Sequence, residues 1–112
     1  MSTVIYMEPI DPDEVRNFLH EHFKLEAEVV EVMLLSMKES LNLEFTNAEK
    51  GFIEKDPEII RKAAHTIKGA LLNAGDTRWC EIAKKIEMSA HEKDVDCVGL
   101  LQELKIGLAN LL

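Results

Sequence analysis

The sequence predicts an all-α fold, an antiparallel up-and-down four-helix bundle with a short additional helix at its N-terminal end. Apolar residues recur at three- and four-residue steps nearly throughout, while β-branched residues seldom alternate, so a sheet has little to form from. Only five glycines and three prolines punctuate 112 residues, and two of the prolines follow an aspartate, where a helix starts well. The joining segments are a few residues long, which favours antiparallel neighbours. The length is that of a single domain over 1–112, large enough to bury a core without disulfides or metal. Residues 1–11 are expected to be an extended or flexible lead-in.

Asp11-Pro12-Asp13-Glu14 opens the first helix, expected from about Pro12 to Phe23, with Val15, Phe18 and Leu19 on one face. In the second, from about Glu26 to Lys50, the inner stripe is Val30, Met33, Met37, Leu41, Phe45 and Ala48, and Gly51 is expected to weaken or end it. Asp56-Pro57-Glu58 repeats the start signal for a third helix running to about Ala74, closed by Gly75 in the left-handed conformation. Asp76 or Thr77 caps the fourth, whose inner face is Trp79, Ile82, Ala83, Ile86 and Ala90. Asp94 or Asp96 caps the fifth, with Val98, Leu101, Leu104, Leu108 and Leu111 available to the core.

Composition excludes several functions. Hydrophobic residues are 46% and charged residues 30% of the chain, too apolar for disorder and too interrupted by charge for a membrane protein. The longest apolar run, Val32 to Leu35, is far below the roughly 20 residues a spanning helix needs. Thirteen basic against 21 acidic residues leave a net charge of −8, which repels a phosphate backbone, so nucleic acid is not an expected partner. The N-terminus lacks the basic start, apolar stretch and cleavage site of a secretory signal. Cys80 and Cys97 read as reduced thiols, Cys80 packed beside Trp79, and a cytoplasmic location is expected. His20 and His22, two apart, point to different helix faces and form no ligand pair. His91 reads as a surface or helix-end charge.

One segment departs from the acidic background. Between Glu58 and Asp76 stand three basic residues, Arg61, Lys62 and Lys68, and no carboxylate. With about 100° per residue, Ile60, Ala64, Ile67, Leu71 and Ala74 form a narrow inner arc, and His65 lies roughly 140° from it, exposed. Lys68 and Arg61, at i+3 and i−4, are near enough for either cation to meet an anion carried there. Gly69, one turn beyond His65, costs a helix interior roughly 1 kcal/mol relative to alanine and leaves a bare patch. Leu72 adds an apolar side chain to the same face. Such a neutral imidazole is a good nucleophile, and flanking cations would disfavour its protonated form and neutralise an attached phosphoryl group.

The run Ala64-His65-Thr66-Ile67-Lys68-Gly69-Ala70, with Asn73, Gly75, Trp79-Cys80, Ile86-Glu87, Ala90 and Asp94 at matching spacings, resembles the signature of histidine phosphotransfer domains of two-component phosphorelays. Ala70 stands where serine is frequent, and Leu71 where a small residue is common. The resemblance implies a phosphocarrier in which His65 takes the phosphoryl group on Nε2, Lys68 stabilises the phosphoryl oxygens and Gly69 makes room for a receiver domain. It implies response-regulator receivers and a hybrid histidine kinase as partners, Mg²⁺ on the partner receiver only, no cofactor or kinase site on this chain, and a monomer. Docking would use Gly69, Leu72 and Arg61, with Val32 and Leu35 as candidates whose alternative is burial beneath the first helix. Two other readings remain open: the phosphoacceptor domain of a chemotaxis-type histidine kinase, and a helical scaffold module without phosphoacceptor chemistry. The Met1 start and lack of a trailing linker favour a separate small protein.

Overall fold

The computed structural model describes residues 7–112. Five helices follow in order: α1 (Pro12–Phe23), α2 (Ala27–Glu54), α3 (Pro57–Asn73), α4 (Arg78–Ser89) and α5 (Cys97–Gly107), with a 3-10 turn over Ala109–Leu111. Among the described residues there is no strand, and no helix is long and apolar enough to cross a membrane.

Local chemistry sets the starts. The Asp11 carboxylate accepts the Asp13 N–H at 2.9 Å, Asp56 accepts that of Glu58 at 3.1 Å, and Asp96 accepts that of Gly99 at 2.9 Å. Each such cap contributes about 1 kcal/mol relative to alanine. At α4, Thr77 occupies the cap position without a side-chain bond, and the carboxylate of Asp76 accepts the Arg78 N–H instead, at 3.0 Å. Gly75 adopts φ +78° after α3, as its position requires, and the Phe18 ring lies where its Cβ would be.

Gly51 departs from its expected role. It is buried inside α2, which continues to Glu54, and Lys55 takes the left-handed position that ends the helix. A Cβ at Gly51 would come within 2.8 Å of the Ile60 side chain. The glycine is used for close approach of α3, not for termination.

Each helix packs on the next, α1 on α2 through α4 on α5, and the 3-10 turn rests against α2 and α5. The α3 arc is buried in full: Ile60, Ala64, Ile67, Leu71 and Ala74, joined by Ala63. On α2, Val30, Leu34, Leu41, Phe45 and Ala48 are buried, while Met33 and Met37 are half-buried. On α4, Trp79, Cys80, Ile82, Ala83 and Ile86 are buried and Ala90 is half-buried. On α5, Leu101 and Leu104 are inside, with Leu108 and Leu111 after them, but Val98 is exposed. Cys97 takes the inner position in its place, its Sγ–H directed at the Ser89 carbonyl at 3.4 Å.

The lead-in is anchored where it is described. Ile10 is buried and its N–H donates to the Gly107 carbonyl at 2.8 Å, and the Trp79 indole N–H donates to the Glu8 carbonyl at 3.0 Å. Residues 7–11 carry no regular secondary structure and are tied to the bundle by these two hydrogen bonds; for residues 1–6 the expected extended or flexible segment lies outside the described residues. The indole itself is seated against Gly107, where a Cβ would fall 2.5 Å from the ring.

Candidate functional site

The inner arc of α3 turns His65 outward, and its side chain is 63% exposed. Burial of Ile86 and Ala83 on α4 places Glu87 at the edge of that helix facing α3. There the His65 Nδ1 lies 2.8 Å from Glu87 Oε1, and the Lys68 Nζ lies 2.7 Å from Glu87 Oε2. A carboxylate only accepts hydrogen bonds, so Nδ1 carries the proton and, in the neutral ring, Nε2 keeps its lone pair. Nε2 has no hydrogen-bond partner among the described residues.

Glu87 is the anchor of this arrangement. Its side chain is only 15% exposed. Lys68 foremost, then His65, hold its carboxyl below the ordinary range, against partial burial that pushes it up. The carboxylate therefore stays ionised and orients two side chains, the imidazole through one oxygen and the ammonium through the other.

Gly69 leaves open space beside this group: a Cβ built there meets nothing within 4 Å. Leu72 on the same helix is exposed. Val32 and Leu35, for which burial beneath α1 was the alternative, are 67% and 58% exposed. Arg61 is paired within its own helix. Its Nε donates to both carboxylate oxygens of Glu58, at 3.1 and 3.0 Å, because the two lie three residues apart on one helix face. That guanidinium holds the Glu58 carboxyl down to about 2.

A carboxylate from α4 thus stands against the imidazole, in addition to the cations of the α3 face. The His-x-x-Lys-Gly spacing contains no hint of Glu87, which lies 22 residues away on another helix. Sequence pattern included it only as part of the fourth-helix resemblance, without a role. The readable signal was its place next to a core isoleucine, which puts a carboxylate on the rim of the α3–α4 interface.

The remaining histidines lie apart. His20 Nδ1 is 2.7 Å from the Leu25 carbonyl, His22 stacks on Phe18 with centroids 4.8 Å apart, and His91 Nε2 lies 3.4 Å from Glu58 Oε2. Cys80 and Cys97 are free and buried, and burial pushes both thiols up. Among the described residues no group of three or more His, Cys, Asp or Glu side chains is placed to hold a metal ion. Comparison with protein-family models, with curated proteins and with solved structures found no match to this chain.

Proposed function

We propose that this protein is a histidine-containing phosphotransfer module of a His–Asp phosphorelay, built as an antiparallel up-and-down bundle with α1 as the additional helix. His65 Nε2 attacks the phosphorus of an aspartyl phosphate on a response-regulator receiver domain. The N–P bond forms as the P–O bond to the aspartate breaks, the aspartate leaves as a carboxylate, and the Nδ1 proton stays on the ring. The reverse step passes the group to a second receiver, and a hybrid histidine kinase supplies the relay.

The observation that carries this reading is the Nδ1 contact to Glu87, which presents Nε2 outward with its lone pair available. Lys68 is within reach of the same carboxylate and can exchange it for phosphoryl oxygens, which need cations in line as charge spreads over them. The open space at Gly69 admits a partner's loop, and Leu72, Val32 and Leu35 offer apolar surface for docking. Mg²⁺ and the acceptor aspartate belong to the receiver. The chain itself acts as a cytoplasmic, monomeric carrier with no nucleotide site or cofactor of its own.

The test is incubation with phosphorylated receivers. The wild-type protein should gain an acid-labile, base-stable phosphate, and His65→Gln should gain none. Labelling that persists in the variant rejects the site, and failure with every receiver of the source organism rejects the carrier role in favour of a docking scaffold.

A further inference from the structure

Charge is unevenly divided between the two flanks of α3, which packs on α2 at one side and on α4 at the other. Helices α3 and α4 together hold six of the 13 basic residues and three of the 21 acidic ones. The α2 helix holds six acidic residues and two basic ones. A partner that approaches His65 therefore meets net positive charge towards α4 and net negative charge towards α2.

Lys84 is the cation that this division brings to the site. Cys80, Lys84 and Glu87 on α4 and His91 just past its end follow at steps of four, three and four residues, which is one side of a helix. The other three all face α3. The Cys80 Sγ–H is directed at the Lys68 carbonyl at 3.8 Å, Glu87 meets His65 and Lys68, and His91 meets Glu58. Lys84, between Cys80 and Glu87, is thus on the α3 side too, level with Lys68. It is exposed and forms no ion pair among the described residues; its neighbour at i+3, Glu87, is already engaged by His65 and Lys68. Met88, one turn on from Lys84, is 70% exposed, and Leu72, one turn on from Lys68, is 52% exposed. The flank thus offers a free ammonium with exposed apolar side chains nearby.

We infer that the partner at His65 is a protein that lays an acidic strip along the α3–α4 flank, its carboxylates on Lys84 and its apolar surface over Met88 and Leu72. Under the phosphotransfer reading, on which this rests, that protein is the receiver domain. Charge and apolar area together select a protein. An extended polyanion, whether nucleic acid or an anionic membrane, reaches beyond a small positive flank and is repelled by a chain at −8. An acidic strip on a protein ends where the flank ends, and the same protein brings apolar surface for Met88 and Leu72. Lys84 touches no transferring atom. It orients the partner, so its effect belongs to docking and to the salt dependence of docking.

Docking is separated from chemistry by calorimetry in the His65→Gln background, with the receiver that labels the wild-type protein fastest. Lys84→Glu should raise the dissociation constant about tenfold and flatten its dependence on salt, and Lys84→Gln should raise it about threefold. Lys38→Glu, the same reversal at an exposed lysine of α2, should leave it within about twofold. In amide spectra the added receiver should shift Lys84 and Met88 more than Val32 and Leu35. Circular dichroism establishes that each variant is folded; if Lys84→Glu is not, Lys84→Gln decides. Unchanged affinity in the folded Lys84 variants, or an equal loss in Lys38→Glu, would overturn the α3–α4 footprint, while labelling of the wild-type protein leaves the phosphotransfer reading standing. Failure of every receiver to label or bind the wild-type protein rejects that reading and the footprint together.

Discussion

Two histidine–glutamate contacts join the α3 and α4 regions, and the crossing is reciprocal. His65 of α3 meets Glu87 of α4, while His91, just past α4, meets Glu58 of α3. Each glutamate also holds a cation from α3, Lys68 in the first pair and Arg61 in the second. The two differ in which ring nitrogen is engaged and how deeply the carboxylate sits. Glu87 is 15% exposed and takes Nδ1 at 2.8 Å. Glu58 is 45% exposed and faces Nε2 at 3.4 Å. A half-buried carboxylate has few positions open to it, so it orients the ring; an exposed one is screened by water and orients little. The same residue types thus give a ring held with Nε2 outward in one place and a loose surface contact in the other.

The largest expected effect separates the two histidines outright. His65→Gln should abolish labelling by a phosphorylated receiver, whereas His91→Gln should leave labelling within twofold of wild type. Loss of signal in the second variant with its fold intact would show that the engaged nitrogen is not what distinguishes the pairs. The carboxylates come next. Glu87→Ala should slow transfer roughly tenfold, about 1.4 kcal/mol in the barrier, because the ring loses its tautomeric and orientational preference. Glu58→Ala should change it less than twofold. Lys68→Ala should slow transfer or shorten the phosphohistidine lifetime with helicity unchanged. Stopped-flow transfer kinetics, with circular dichroism as the folding check, distinguish these outcomes.

Two glycines extend the contrast to backbone positions. At Gly51 a Cβ would meet Ile60 at 2.8 Å, and at Gly69 it would meet nothing within 4 Å. Gly51→Ala should therefore destabilise the protein by about 1–3 kcal/mol through overpacking. Gly69→Ala should stabilise it by about 0.5–1 kcal/mol, as expected in a helix interior. If Gly69 is kept open for a receiver, the more stable variant should also transfer more slowly. Thermal melting of both, together with transfer rates for the second, tests the pair; a Gly69→Ala protein that is stabilised and equally fast would remove the docking role of that position.

The contrast also shows what periodicity makes legible. Helical spacing and aspartate–proline starts locate all five helices, and the α3 arc predicts the outward turn of His65, because these depend on residues one or two turns apart. Gly51 misleads because a glycine near a helix end has two uses, termination and close approach, and only the position of Ile60 on α3 decides between them. Val98 misleads because the first turn of α5 can present either of two neighbouring apolar residues, and contact near Ser89 favours Cys97. Arg61 was legible as a neighbour of His65 but equally as a partner of Glu58, and the i,i+3 carboxylate prevails. Glu87 could be placed on the right helix, yet its meeting with His65 is a tertiary event 22 residues distant, beyond any local pattern.

The smallest expected effect concerns acid. The Glu87 carboxyl is lowered from its ordinary 4.5 by Lys68 and then His65, so the folded state takes up this proton only at a lower pH than the unfolded chain does. Its contribution to stability is therefore present in full above the unfolded value and is lost as pH falls through the folded one. Glu58 shifts in the same direction, to about 2, but it is exposed and its pairing is screened. Glu87→Gln should flatten the decline in thermal stability below pH 4.5, insensitively to salt because the site is sheltered. Glu58→Gln should flatten it less, and that difference should vanish in high salt. Melting curves from pH 6 to pH 3 at two salt concentrations measure both; equal salt sensitivity in the two variants would mean that depth of burial does not separate these carboxylates, and the distinction between an orienting anchor and a loose surface pair would fail with it.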